Sequence, residues 1–117
     1  MKPPRELRVS SDRSDMIVSF PEQEPVALSA EFLRVVSPSA EVQGHSPDQR
    51  ITVPGKRRVT IARVEPVGNY AVRIVFSDGH QSGIYTWVYL HELVTKKDEK
   101  WQGYLDELKE KGLSRGN

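Results

Sequence analysis

The 117-residue chain contains no cysteine. That excludes a disulfide framework and any thiolate metal or redox centre. It has no long apolar run either: nothing approaches the roughly 20 residues needed to span a bilayer, and residues 1–12 lack the apolar stretch of an export signal. An excess of one charge is also missing. Lys and Arg number 17 against 16 Asp and Glu, for a formal net charge of +1, whereas a dedicated nucleic-acid binder carries a marked basic surplus. There is no Walker-type loop, no two-glycine dinucleotide turn and no Gly-x-Ser-x-Gly elbow. What remains is a reduced, soluble protein, expected in the cytoplasm, with neither nucleic acid nor membrane as partner. Its length suffices for one core and not for two. A hydrophobic content of 37% and a mean hydropathy of −0.55 leave room for loop or tail.

The patterns that are present predict an α+β fold. Leu7 and Val9, then Met16, Val18 and Phe20, alternate with polar residues around a Ser-Asp-Arg-Ser turn, as in a β-hairpin. Pro21 closes it, and residues 25–28 lead into Ser29, a suitable N-cap for a short helix carrying Ala30 and Leu33 that ends before Pro38. Residues 37–58 read as a long irregular loop, rich in Pro and Gly. A strand over 59–64 and a turn over 66–69 follow. Tyr70, Val72, Ile74 and Phe76 then mark the core face of the most strand-like segment. Asp78-Gly79 supplies a tight turn, Ile84 and Tyr85 return, and Thr86 caps a helix whose Trp87, Leu90, Leu93 and Val94 share a face. After a charged linker at 96–100, Trp101, Tyr104, Leu105 and Leu108 form the stripe of a C-terminal amphipathic helix. Gly112 terminates it and residues 113–117 fray. The expected architecture is a mostly antiparallel sheet of about five strands with two or three helices. It divides into a domain at 1–95 and an appended linker and helix at 96–117.

Few residues offer chemistry. His80, two positions from Asp78, can serve as a metal ligand or an oriented base, or can simply stabilise its turn. His45 can join it if the long loop folds over the hairpin, although two histidines without further ligands make a poor zinc site. Ser77 or Ser82 with His80 and Asp78 spells a hydrolase triad, but such close neighbours on one hairpin rarely reach triad geometry. Lys56, Arg57 and Arg58 form the densest basic cluster, suited to an acidic partner or to a solvated loop. The stripe of Trp101, Tyr104, Leu105 and Leu108 can dock on a partner or on its own domain.

Three separated motifs carry a resemblance: LRVVSPSAEV at 33–42, IARVEPVGNYAV at 61–72, and FSDGH at 76–80 followed by GIYTW at 83–87 with Leu90. Together they resemble the gamma-butyrobetaine hydroxylase-like N-terminal domain family, most closely its small stand-alone bacterial members of unknown function. In the family's hydroxylases the domain precedes a separate iron-dependent catalytic domain and holds a zinc ion through three cysteines and a histidine. The resemblance maps those ligands onto Ser37, Ser39, Val42 and His80. Two hydroxyls and an isopropyl group in place of three thiolates imply that the zinc site is lost, and without the catalytic domain hydroxylase activity does not carry over. Similar domains are joined to iron–sulfur carrier ATPases. The expected function is therefore a non-catalytic binding or adaptor domain acting through protein contacts, with no cofactor. The alternative is an iron- or zinc-handling accessory protein, with a possible link to iron–sulfur cluster assembly, using His80 and His45 with Asp78 or Glu41.

Overall fold

The opening hairpin pairs β1 (Glu6–Val9) with β2 (Asp15–Ser19). Its turn is organised by one carboxylate: Asp12 Oδ1 accepts from the hydroxyls of Ser10 and Ser14 and from the Ser14 amide at 2.7–3.1 Å. Those bonds hold the Asp12 pKa down to about 2. In β2 the alternation buries Met16 and Val18, as the period of two predicts. β3 (Val26–Ser29) then pairs with β2, placing Leu28 opposite Met16. This strand runs where only a connection is expected, because residues 25–28 carry no polar residue to reveal a period. α1 (Ala30–Val35) starts at Ser29, whose hydroxyl accepts the Phe32 amide at 3.0 Å. The structure, a computed structural model, describes residues 1–117, the Pro47 side chain excepted.

The 37–58 segment is less irregular than its composition predicts. It contains α2 (Ala40–Gln43) and a 3-10 turn at Pro47–Gln49. Gly44, with φ +68°, reverses the chain between them so closely that a Cβ there would lie 2.4 Å from Gln49 Cβ. A second antiparallel sheet follows, of β4 (Ile61–Val67), β5 (Ala71–Phe76) and β6 (Ile84–Thr86) in that order. β5 is covered on both faces: Val72, Ile74 and Phe76 face the main core while Ala71 and Val75 are also buried. Tyr70 does not belong to that face. It sits in the turn before β5 and is 52% exposed.

α3 (Trp87–Thr95) begins at Thr86, whose hydroxyl accepts the Tyr89 amide at 3.1 Å. α4 (Lys97–Glu110) follows after Lys96 alone, so the expected charged linker is mostly the first turn of this helix. α4 ends in a Schellman motif: the Leu113 amide reaches the Leu108 carbonyl and the Gly112 amide reaches Lys109, with Gly112 at φ +66°.

The fold is thus α+β and antiparallel as expected, but it has six strands in two three-stranded sheets and four α-helices. The single sheet of about five strands with two or three helices is corrected, because β3 and α2 arise within stretches that carry no periodic signal. The sheets meet through one main core, which joins Met16, Val18 and Leu28 to Ile61, Ile74, Tyr85, Leu90 and Leu93. The first turn locks them together: the Arg13 carbonyl accepts the Ile61 amide, and its guanidinium donates to the carbonyls of Ile61 and Ala62. A smaller cluster of Val35, Tyr104 and Leu108 seats α4.

Candidate functional site

Two loops converge on one imidazole. The end of α1 and the start of α2 bring Ser37 and Ser39, and the β5–β6 connection brings His80 underneath them. Ser37, Ser39 and His80 are all buried. Ser37 Oγ lies 2.8 Å from His80 Nε2, Ser39 Oγ lies 3.4 Å from the same nitrogen, and the two hydroxyls are 3.3 Å apart. On the far side of the ring, Nδ1 faces Glu41 Oε2 at 3.4 Å, and the other Glu41 oxygen accepts from Ser82 Oγ at 2.7 Å. A carboxylate only accepts, so the ring proton belongs on Nδ1 and Nε2 accepts from Ser37. Burial, with the Arg34 guanidinium adding to it, lowers the His80 pKa against the opposing pull of Glu41 and Asp78. The ring is a neutral hydrogen-bonding hub.

Asp78 beneath it is committed elsewhere. Its Oδ1 accepts the His80 amide at 3.0 Å, and Oδ2 accepts Arg34 Nε at 2.8 Å and Lys56 Nζ at 2.6 Å. Burial works to raise the Asp78 pKa, but the bonds from Lys56, the His80 amide and Arg34 outweigh it and hold it at about 2. Two cations share one carboxylate, and Arg34 Nη1 is buried with no partner, so the base of the cluster is electropositive. That field adds to burial in disfavouring an imidazolium.

The geometry brings Ser37, His80 and Glu41 into the order of a nucleophile, base and orienting acid. It does not bring them to a substrate. Ser37 is 0% exposed, and the backbone of Gly83 closes over it so tightly that a Cβ there would sit 2.4 Å from Ser37 Oγ. The triad spelled by the sequence around Asp78 does not form: Ser77 Oγ accepts the Thr60 amide, and Ser82 is bound to Glu41. Local pattern does not pair Ser37 with His80, 43 positions away; the family resemblance does, by mapping both onto one ligand set.

The polar atoms of Ser37, Ser39 and His80 form a triangle with edges of 2.8, 3.3 and 3.4 Å. That is near the ~3.3 Å between ligands held ~2.0–2.1 Å from a tetrahedral ion. The chemistry does not match the spacing. The hydroxyls are neutral, Val42 one turn along α2 offers only methyl groups, and no thiolate or carboxylate faces Nε2. Zinc needs anionic or imidazole donors and does not suit this set. His45 is exposed, with its amide bound to Gln49 Oε1, and no hydrogen bond joins it to His80. Among the described residues no group of three or more His, Cys, Asp or Glu is arranged around a common point.

Of the candidate contact residues, Lys56 is held by Asp78, whereas Arg57 and Arg58 are exposed. Tyr104 and Leu108 are buried against Val35, and Trp101 and Leu105 pack beside them. The stripe therefore covers its own domain. Burial drives the Tyr104 pKa up to about 12, and its hydroxyl donates to the Val53 carbonyl. A cleft of about 330 Å³ lies beside this helix, bounded by Val36, Tyr89, Gly103 and the Arg50–Glu107 ion pair. Exposed apolar residues away from this helix include Tyr70 at 52%, Ile84 at 42% and Val88 at 65%.

Fold and site together define a small α+β domain organised around a sealed polar hub of Ser37, Ser39 and His80. The chain belongs to the gamma-butyrobetaine hydroxylase-like N-terminal family, which matches residues 7–91. No curated protein matches it. Two NMR solution structures of relatives are 44% and 38% identical. They superpose with TM-scores of 0.86 and 0.83 over 99% of this chain, and over 91% and 86% of theirs. A crystal structure from Acidithiobacillus ferrooxidans ATCC 23270, of a DUF971-family protein of unknown function, is 38% identical. Its TM-score is 0.64, covering 80% of this chain and 97% of that one.

Proposed function

We propose that the chain is a non-catalytic binding or adaptor domain that acts through protein contacts in the cytoplasm. The observation that carries this reading is the sealing of its one catalytic-looking array: Ser37 has no surface and Gly83 leaves no room above it. A nucleophile in that position cannot meet a substrate without loss of the surrounding packing. The exposed Arg57 and Arg58, together with Tyr70, Ile84 and Val88, leave both charged and apolar surface for a partner. Affinity capture on the immobilised full-length chain is expected to retain one partner through a wash in high salt. Retention of nothing above a bare-matrix control would overturn the reading.

One observation favours metal handling instead, namely the ligand-like spacing around His80 Nε2. Asp78 is unsuited to join, since both its oxygens are engaged. Elemental analysis of untagged protein separates the two. Stoichiometric iron or zinc that disappears in His80→Ala would favour the accessory role and its link to iron–sulfur cluster assembly.

A further inference from the structure

Residues 113–117, expected to fray, are bound. After the Gly112 turn the chain runs back along the 55–57 segment, where the carbonyls of Ser114 and Arg115 accept the amides of Gly55 and Arg57 at 2.9 and 3.0 Å. Gly116 passes so close that a Cβ there would meet Gly55 Cα at 3.2 Å. Arg115 Nε and Nη2 donate to the two carboxylate oxygens of Glu31 at 2.8 and 2.6 Å, and its guanidinium lies 5.2 Å from the ring centre of Trp101. Glu31 itself is buried in the first turn of α1.

These contacts describe a receptor. A buried carboxylate without a cation is costly, and the two-pronged geometry over an aromatic face selects guanidinium over ammonium. The amides of Gly55 and Arg57, which donate to the carbonyls of Ser114 and Arg115, select an extended backbone that presents carbonyls. The segment that fills the site is held without apolar burial: Leu113, Ser114 and Asn117 are exposed, the Asn117 carbonyl accepts from Arg58 Nε, and Gly112 at φ +66° provides the bend that leads into it. Nothing in the site requires that its arginine come from the same chain.

We propose that the Glu31–Trp101 site is a receptor for an arginine carried on an extended segment of a protein partner, with residues 113–117 as its resident competitor. This rests on the reading of the chain as a protein-contact domain and names the chemistry of the partner. An incoming segment must bring the arginine, because one that displaced Arg115 without replacing it would leave Glu31 bare.

The test uses the full-length Arg115→Ala protein and a hexapeptide copying residues 112–117, followed by the Gly55 and Arg57 amide signals and by tryptophan fluorescence. Saturable binding is expected, at least about tenfold tighter than to the unchanged chain, where the resident segment competes. It should vanish when Glu31→Gln is added or when the peptide arginine is replaced by lysine. Absence of saturable binding to folded Arg115→Ala protein, or equal binding of the lysine peptide, overturns the proposal. If that variant does not fold, the unchanged chain decides: excess peptide should move the amide signals of residues 113–117 toward random-coil positions, and unchanged signals overturn it. A captured partner that the peptide fails to displace leaves the adaptor reading standing and removes this site.

Discussion

His80 holds together residues that the chain would otherwise leave apart. Its ring joins Ser37 and Ser39 on one side to Glu41 on the other, so removing it takes their shared acceptor from two buried hydroxyls and leaves them only each other as side-chain partners, at 3.3 Å. Because each unsatisfied buried group costs about 1–3 kcal/mol, His80→Ala is expected to lower the urea midpoint by a stability loss of about that size. Asp78 gives a prediction with a defined pH window. Its pKa is depressed in the folded chain from 3.8 to about 2, so the stability it contributes is complete above the unfolded value and is lost as pH falls from 3.8 toward 2. Asp78→Asn should be less stable at neutral pH and should lose less on acidification through that window, as read by thermal melts at stepped pH. The Asp-Gly turn and the companionship of Asp78 and His80 are legible in local sequence. That Arg34 and Lys56 converge on Asp78 is not, because these pairings are set by tertiary packing, and Ser37 is brought to His80 only by the family resemblance.

At the scale of elements, the signals that hold are those that neighbouring residues satisfy among themselves: the alternation in β2, the caps Ser29 and Thr86, and the Gly112 terminator. The ones that fail depend on distant partners. Tyr70 continues the alternation of β5 on paper, but the turn at 67–70 carries it out of the sheet and into solvent. Segment 113–117 looks unstructured because its anchors lie far away, with Arg115 and Glu31 separated by 84 positions. α4 breaks a local rule of its own. Gly103 lies in the middle of the helix, and a Cβ there would meet nothing within 4 Å. Gly103→Ala is therefore expected to raise stability by up to about 1 kcal/mol, visible as a higher melting temperature, while narrowing the cleft beside Tyr89 and Tyr104.

For the whole molecule, one core spans both sheets and α3, with α4 seated on it through Trp101 and the Val35 cluster. Unfolding is expected as a single transition, with helical and tryptophan signals coinciding. The polar hub uses hydrogen bonds where zinc would need anionic donors, so its contribution is expected to be independent of an ion. The melting temperature should be the same in chelator and in added zinc. A drop on chelation would contradict the donor set described here.

The Arg13 bridge has a kinetic meaning. Every strand pairing in both sheets joins sequence neighbours, so each sheet can form by short loop closures, whereas the bond from Arg13 to Ile61 and Ala62 spans nearly half the chain. Local hairpins form quickly and long-range closures carry the larger entropic barrier. If the Arg13 bonds close only after the rate-limiting docking of the two halves, Arg13→Ala should raise the unfolding limb of the chevron and leave the refolding limb in place. The arginine would then act as a latch that sets how long the native state lasts, rather than how fast it is reached.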